Sequence, residues 1–284
     1  MILLWGLAED PPLAALRDVL LARGTEHHFL DQRAGRADHP ALAGVHAAYI
    51  RPYDYGDVPQ VSGDAGRLSG LRQFAHDLTE WLETAPIPVV NRFSAQASNT
   101  SKLFQQRLIA AYGFEVPASL VTTDPQVARA FAERHGDVIY KSLSSVRSIV
   151  KRLDHDRLDR LDAVASCPTL FQRHVPGTDY RVHVAGRRVF ATMVHSLEDD
   201  YRYDHEAERI AVTLPREVAD RCVRLSHGLG LPFSGVDLRR TPDGRWCCFE
   251  VNPSPAYPYY EPPEGPVIDI QSPRLRTRST PASA

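Results

Sequence analysis

Two short segments near the C-terminal end constrain this chain more than any other feature. They are Gly235-Val-Asp237-Leu238 and Trp246-Cys-Cys-Phe-Glu250-Val-Asn252-Pro253, joined through Thr241-Pro-Asp-Gly244. Val236 and Leu238 alternate with Asp237; Phe249 and Val251 alternate with Glu250 and Asn252. A period of two puts apolar members on one face of a strand and polar members on the other. Pro242 sets its own φ and Gly244 tolerates a positive one, so the connection reads as a turn. The pattern predicts a hairpin that gathers Asp237, Glu250 and Asn252 on one face. Asp and Asn are depleted in strands, and three oxygen donors so placed form a hard set suited to Mg²⁺. The alternative is a solvated hairpin face.

The N-terminal third alternates strands and helices. Met1-Ile-Leu-Leu-Trp5 reads as a buried strand, and Pro11-Pro12 opens a helix through Leu13, Leu16, Val19 and Leu20 that Gly24 stops. Strands follow at 28–31, 47–50 and 88–90, with a helix over 68–82 whose Leu71, Phe74, Leu78 and Trp81 recur at helical spacing. Such alternation predicts a small parallel sheet covered by helices. Gly6-Leu-Ala-Glu-Asp10 is not a dinucleotide fingerprint. Arg51 opens the loop after the third strand, where parallel sheets bind ligands; substrate contact and a solvated arginine are both open.

Further on, a helix is expected over 99–113, capped by Asn99, Thr100 or Ser101, with Leu103, Phe104, Leu108 and Ile109 as its apolar stripe. A strand runs from Leu120, a helix over 126–134, and a strand over 137–141 ends in Lys141, an expensive place for an ammonium without an anionic partner. A charged helix over 154–165, a strand over 168–172 and a hairpin from Asp179 to His195 follow, then an amphipathic helix over 215–228. His183 and His195 read as ordinary strand residues.

Composition excludes several classes. At 284 residues and a net charge of −2 the chain offers no electrostatic case for nucleic acid or an anionic membrane. No apolar run is long enough to cross a bilayer, and the first five residues are too short for a signal peptide. Cys167, Cys222 and the adjacent Cys247-Cys248 have no zinc spacing and read as reduced thiols of a cytoplasmic protein.

Gly-Val-Asp237 followed by Phe-Glu250-Val-Asn252-Pro253 resembles the metal-binding end of ATP-grasp ligases. Asn99-Thr-Ser-Lys102, then Gly113-Phe-Glu-Val-Pro117 and a strand, is similar to their first subdomain. Asp179-x-Arg181 before a hairpin is similar to RimK-like glutamate ligases and graspetide (ω-ester and ω-amide peptide) synthetases. The resemblance covers about 91–260 and implies an α/β (α+β) fold. A small parallel α/β domain (1–92) would precede two α+β subdomains of an ATP-grasp fold (93–171 and 172–261), with a disordered tail over 262–284.

It also implies roles. Lys102 and Lys141 would reach ATP phosphates; Arg181, with Lys141, would act catalytically beside the γ-phosphate. Mg²⁺ (or Mn²⁺) would sit on Asp237, Glu250 and Asn252, with Asp237 and Glu250 also counted to the nucleotide. Adenine would lie at the crossover through Gln172, Arg173, His174 and Val175, and Asp179 is the ribose candidate. Arg202, Arg51 and Asn252 would face substrate.

There are departures. The flap after Lys141, Ser142-Leu-Ser144-Ser145-Val-Arg147-Ser148, lacks glycine, leaving Ser144, Ser145 and Arg147 for phosphate. Arg173 stands where a glutamate is usual, and no further helix follows the aromatic stretch at 257–260. The implied activity is an ATP-dependent ligase joining a carboxylate to an amine or hydroxyl through an acyl-phosphate, on an amino acid or peptide. An ATP-grasp kinase and a non-catalytic nucleotide-binding protein are the alternatives. ATP, a small-molecule or peptide substrate and a second copy of the chain are the implied partners.

Overall fold

The computed structural model describes residues 1–34, 42, 44–58, 65–143, 150–158, 160–196 and 207–260. The N-terminal segment contains β1 (Ile2–Gly6), α1 (Pro11–Ala22), β2 (His27–Asp31), β3 (Ala47–Arg51), α2 (Ala65–Thr84) and β4 (Val89–Val90). Its four strands pair in the order β2-β1-β3-β4, all parallel. Asp10 caps α1 by accepting the Leu13 N–H, and Pro11 fills a first-turn position where no N–H is needed. The stripes read from the sequence do pack: Leu78 and Leu82 close on Leu3, Trp5 and Ile50, while Leu13 and Leu20 close on Leu4 and Tyr49 from the other side. Both faces of the sheet are thereby covered, as parallel strands require.

The chain continues through α3 (Phe93–Gln96), α4 (Lys102–Ala111), β5 (Ser119–Thr122), α5 (Pro125–His135), β6 (Val138–Ser142), β7 (Lys151–Arg152), α6 (His155–Leu158) and β8 (Thr169–Arg173). These four strands form an antiparallel sheet in the order β5-β8-β6-β7. Val138, Tyr140 and Phe171 pack on Ala128 and Phe131 of α5. By alternation, Lys141, Leu170 and Gln172 lie on the opposite face.

The remainder is β9 (Thr178–Ala185), β10 (Arg188–His195), β11 (Glu208–Val212), α7 (Arg216–Gly228), β12 (Phe233–Arg240) and β13 (Trp246–Asn252). The antiparallel order is β11-β10-β9-β12-β13. One face is the largest core: Val182, Val184, Val236, Leu238, Cys248 and Val251 close on Val218, Cys222 and Leu225 of α7 and on Ile109 of α4. The helix grouped by sequence with the central segment thus packs on the C-terminal sheet.

Several sequence expectations are corrected. The helix expected over 99–113 begins at Lys102, after a 3₁₀ turn over Ala97–Thr100, and Ser101 is the cap. Phe104 is 53% exposed, while Gln105 and Gln106 are buried in its place. The Gln105 carboxamide donates to the Val251 carbonyl at 2.8 Å and accepts the Val251 N–H at 3.0 Å, completing the edge of β13. Helical spacing alone marks apolar stripes and misses a glutamine that serves backbone. Gln105→Leu should leave both Val251 groups unmade and cost about 1–3 kcal/mol, read as a shifted urea midpoint at constant slope. A shift under about 0.5 kcal/mol would contradict this account. The charged helix expected over 154–165 is broken into α6 and a 3₁₀ turn over Leu161–Ser166. The strands β7 and β11 were not foreseen.

A bulge between Asp237 and Leu238 is the last correction. Glu250 pairs with Asp237 and Cys248 with Leu238, so Phe249 is the extra residue. Cys248 takes the core position expected of Phe249, whose ring instead lies under the Arg239 guanidinium at 5.2 Å.

Candidate active site on the C-terminal sheet

The face of this sheet away from α7 is polar, and its register sets the order of the side chains. Across one row lie Glu250, Asp237, Arg181 and Thr192; beside it lie Asn252, Gly235, His183 and Phe190; on the other side lie Cys247, Arg239, Asp179 and Val194. Arg181 pairs with Asp237 across β9 and β12 and is 4% exposed. Its guanidinium lies above Gly235: an added Cβ there would come within 2.5 Å of Nη2 and 2.8 Å of the Pro255 Cβ. Only glycine leaves that space. The Tyr260 ring covers the guanidinium at 5.1 Å, held by a Thr192 hydroxyl that donates to the Tyr260 carbonyl. Tyr260 belongs to a 3₁₀ turn, Tyr257–Tyr260, folded back over this face.

The hairpin does gather Asp237, Glu250 and Asn252: Asp237 and Glu250 are direct partners, and Asn252 lies on the same face two residues on. All three are half-buried. The Asn252 Oδ1 accepts the Ser254 N–H at 2.8 Å, leaving a second lone pair. Two carboxylates and an amide oxygen are donors of the type Mg²⁺ takes, and these three side chains would hold it. Among the described residues no group of three His, Cys, Asp or Glu forms a rival metal site.

Other candidates fall as follows. Lys102 is the first residue of α4 and half-buried, and Lys141 sits near the end of β6. The Gln172 side chain is buried and donates to Ser119 Oγ at 3.0 Å. The backbone N–H groups of Arg173 and His174 donate to the Ala118 and Asp137 carbonyls. The Val175 carbonyl accepts from Arg239 Nη1. Asp179 is held bidentately by Arg239, at 2.8 and 2.6 Å. Both carboxylate oxygens of the ribose candidate are therefore engaged. Arg51 is held by Asp10 and Ser254. Ser144, Ser145, Arg147, Arg202 and the tail lie outside the described residues.

The sequence reading passed over the parts of Thr192, Arg239 and Tyr260 in holding Arg181 or Asp179, and gave Gly235 only as part of a strand motif and not as the space that Arg181 fills. It also passed over the setting of His183, which is 2% exposed and lies between Phe233 and Tyr260, with ring centroids at 6.3 and 5.8 Å. Burial, and then the Arg181 charge, hold its imidazole well below the ordinary value and keep it neutral. The unfolded chain takes up this proton near pH 6.5 while the folded chain refuses it. Stability should therefore fall as pH drops below about 6.5, by about 1.4 kcal/mol per unit from this group. His183→Phe should flatten that part of the profile in thermal melts between pH 7 and 5; an unchanged slope would sink the assignment. The cysteines offer no nucleophile here, since burial pushes the Cys222 and Cys247 thiols up to about 12.

No family model matches the chain. It is 30% identical over 240 residues to a probable alpha-L-glutamate ligase of Histophilus somni (strain 129Pt), covering 78% of this chain and 76% of that one. It superposes on the ATP-grasp ligase PsnB, solved with a phosphomimetic variant of its minimal precursor, Mg and ADP. That match has a TM-score of 0.76 and 27% identity and covers 91% of each chain. The macrocyclase MdnC of Microcystis aeruginosa MRC, bound with precursor peptide MdnA, shares the fold at a TM-score of 0.78 and 19% identity. It covers 94% of this chain and 96% of that one. Taken with the site face built on Asp237, Glu250 and Arg181, these likenesses place the chain in the ATP-grasp ligase superfamily, in its RimK-like and graspetide-synthetase-like branch, as an ATP-dependent carboxylate–amine ligase.

Proposed function

We propose that the chain uses ATP and Mg²⁺ to activate a side-chain carboxylate of a peptide and joins it to an amine or hydroxyl. The observation that carries this reading is the row Glu250–Asp237–Arg181, which sets two carboxylates and one buried guanidinium side by side on one sheet face. A substrate carboxylate oxygen attacks the γ-phosphorus, the bond to the β-phosphate oxygen breaks, and ADP leaves. The acceptor nitrogen or oxygen then attacks the acyl carbonyl, phosphate departs, and the acceptor proton goes to water. Phosphoryl transfer of this kind is catalysed by positioning and charge, with no covalent residue needed.

In this reading Asp237, Glu250 and Asn252 hold the cation, which neutralises phosphate oxygens. Arg181 presents a guanidinium that cannot lose its proton and whose fork suits phosphate or carboxylate oxygens. Lys102 and Lys141 bring further positive charge from α4 and β6. Gln172 to Val175 would line the adenine crossover, with the Arg173 and His174 N–H groups committed to Ala118 and Asp137, and Asp179 acts on the nucleotide only by fixing β9 through Arg239. The segments 93–171 and 172–261 would be the two ATP-grasp halves. A cytoplasmic enzyme fits four free cysteines, and no described helix is long and apolar enough to cross a membrane.

A peptide substrate is favoured because PsnB and MdnC were solved with precursor peptides. A second reading, addition of free glutamate, follows from the names of the curated relatives. The test is incubation with ATP, Mg²⁺, free glutamate and a panel of acidic peptides carrying lysine, serine or threonine, followed by mass spectrometry. Loss of one water per bond with matching ADP release supports peptide ligation. A gain of glutamyl residues supports the second reading. Phosphate retained on the product would mean a kinase, and ATP binding without ADP would mean a sensor.

A further inference from the structure

We propose that Arg51 is a positioning residue for the metal end of the site, directing the Asn252 carboxamide through Ser254; this rests on Asp237, Glu250 and Asn252 being the metal donors. The sequence offers Arg51 as a substrate contact. Its guanidinium is otherwise engaged. Nε donates to Asp10 Oδ2 at 2.8 Å, and Nη1 donates to Ser254 Oγ at 2.7 Å and to the Pro255 carbonyl at 3.3 Å. The side chain is 9% exposed and that of Asp10 is 1%. Asp10 in turn is fixed by the Leu13 N–H and by the Tyr53 hydroxyl, at 3.2 and 2.7 Å.

The relay then has one more link. The Ser254 N–H donates to Asn252 Oδ1, so the turn that Arg51 grips is the turn that aims the carboxamide oxygen. Three other contacts steady the same turn. Asn91 donates to the Pro253 carbonyl, Tyr257 donates to the Pro12 carbonyl at 3.0 Å, and Pro255 lies against the Gly235 position under Arg181. The N-terminal sheet thus fixes a metal donor from more than two hundred positions away. Partners that orient a ligand are typically worth about 10–100-fold in metal affinity.

The measurement is Mn²⁺ binding to the full chain in the presence of ADP, by electron paramagnetic resonance of the free ion, alongside steady-state kinetics against metal and peptide. Ser254→Ala removes the shorter of the two Nη1 contacts to the turn, leaving the one to the Pro255 carbonyl, the Ser254 N–H and the Asp10 pair in place, and folding should be spared. It should weaken Mn²⁺ about tenfold, leave kcat at saturating metal within about twofold, and leave the peptide KM unmoved. Arg51→Lys, which reaches only one partner at a time, should fall between wild type and Arg51→Met. A raised peptide KM in Arg51→Lys with unchanged Mn²⁺ affinity would overturn the relay and restore the substrate role. Wild-type Mn²⁺ binding by Ser254→Ala would overturn it as well. Glu250→Gln separates the two levels: if it too binds Mn²⁺ as wild type does, the metal site itself is wrong, whereas if it fails to bind while Ser254→Ala binds normally, only the relay is wrong.

Discussion

Glu250→Gln should lower ATP cleavage by about a thousandfold or more while the chain melts within about two degrees of wild type. The substitution keeps the volume and the backbone pairing with Asp237, and Glu250 is half-buried on the polar face with no part in the α7 core. What it removes is one of two negative charges that face each other across β12 and β13. An amide oxygen in its place still offers a lone pair, but a hard divalent cation bound by few protein groups depends on carboxylate charge. ADP release and the thermal melt decide the matter together. Turnover within tenfold of wild type would remove Glu250 from the site, and a collapsed melt would show the loss to be one of folding.

The second large effect is a divergence between binding and turnover. Arg181→Met should reduce turnover by about a hundred- to a thousandfold, because a preorganised cation beside developing charge is lost. The same change should tighten Mn²⁺ binding in the absence of nucleotide. In the wild-type chain the guanidinium already neutralises Asp237, and a cation approaching that carboxylate competes with it. With methionine at 181, Asp237 loses this ion pair, so the metal-free protein should lose stability. Added Mn²⁺ should restore it by mass action. Melts with and without the ion, plus ADP release, test all three parts. Weaker Mn²⁺ binding in this variant would mean that Arg181 supports the metal donors and does not compete with them.

The two variants also probe different consequences of one register. Asp237 is opposite both Glu250 and Arg181, on neighbouring strands. A one-residue slip of β12 would send Asp237 into the α7 core and bring Val236 and Leu238 to the surface, which the burial of those two residues forbids. The same burial that builds the core therefore fixes the site.

Alternation along single strands made most of the fold, and the shared face of Asp237, Glu250 and Asn252, readable in advance. Asp237, Glu250 and Asn252 stand between apolar residues in a period of two, and that pattern has few stable solutions besides a sheet with one wet face. The Pro11-Pro12 helix start, Ser101 as one of three cap candidates, and the apolar stripes of α1, α2 and α7 were local signals of the same kind. The bulge at Phe249 was not readable, because Cys248 and Phe249 are both acceptable in a core and only packing against Cys222 and Leu225 chooses between them. Nor were the ion-pair partners. Asp179 and Arg181 are two apart on one strand, yet they bind Arg239 and Asp237 on its neighbour. Which residues meet across strands depends on register, and register depends on contacts far apart in sequence.

By itself, then, the order of residues determined most of the longer elements, the polar face and the chemistry of its oxygen and nitrogen groups, since each of these follows from spacing within a few residues. Tertiary structure alone decided how Arg51 is used, why residue 235 is glycine, and what covers Arg181. Those answers come from Asp10, Ser254, Pro255 and Tyr260, groups far apart in sequence that meet these side chains only once the chain has folded.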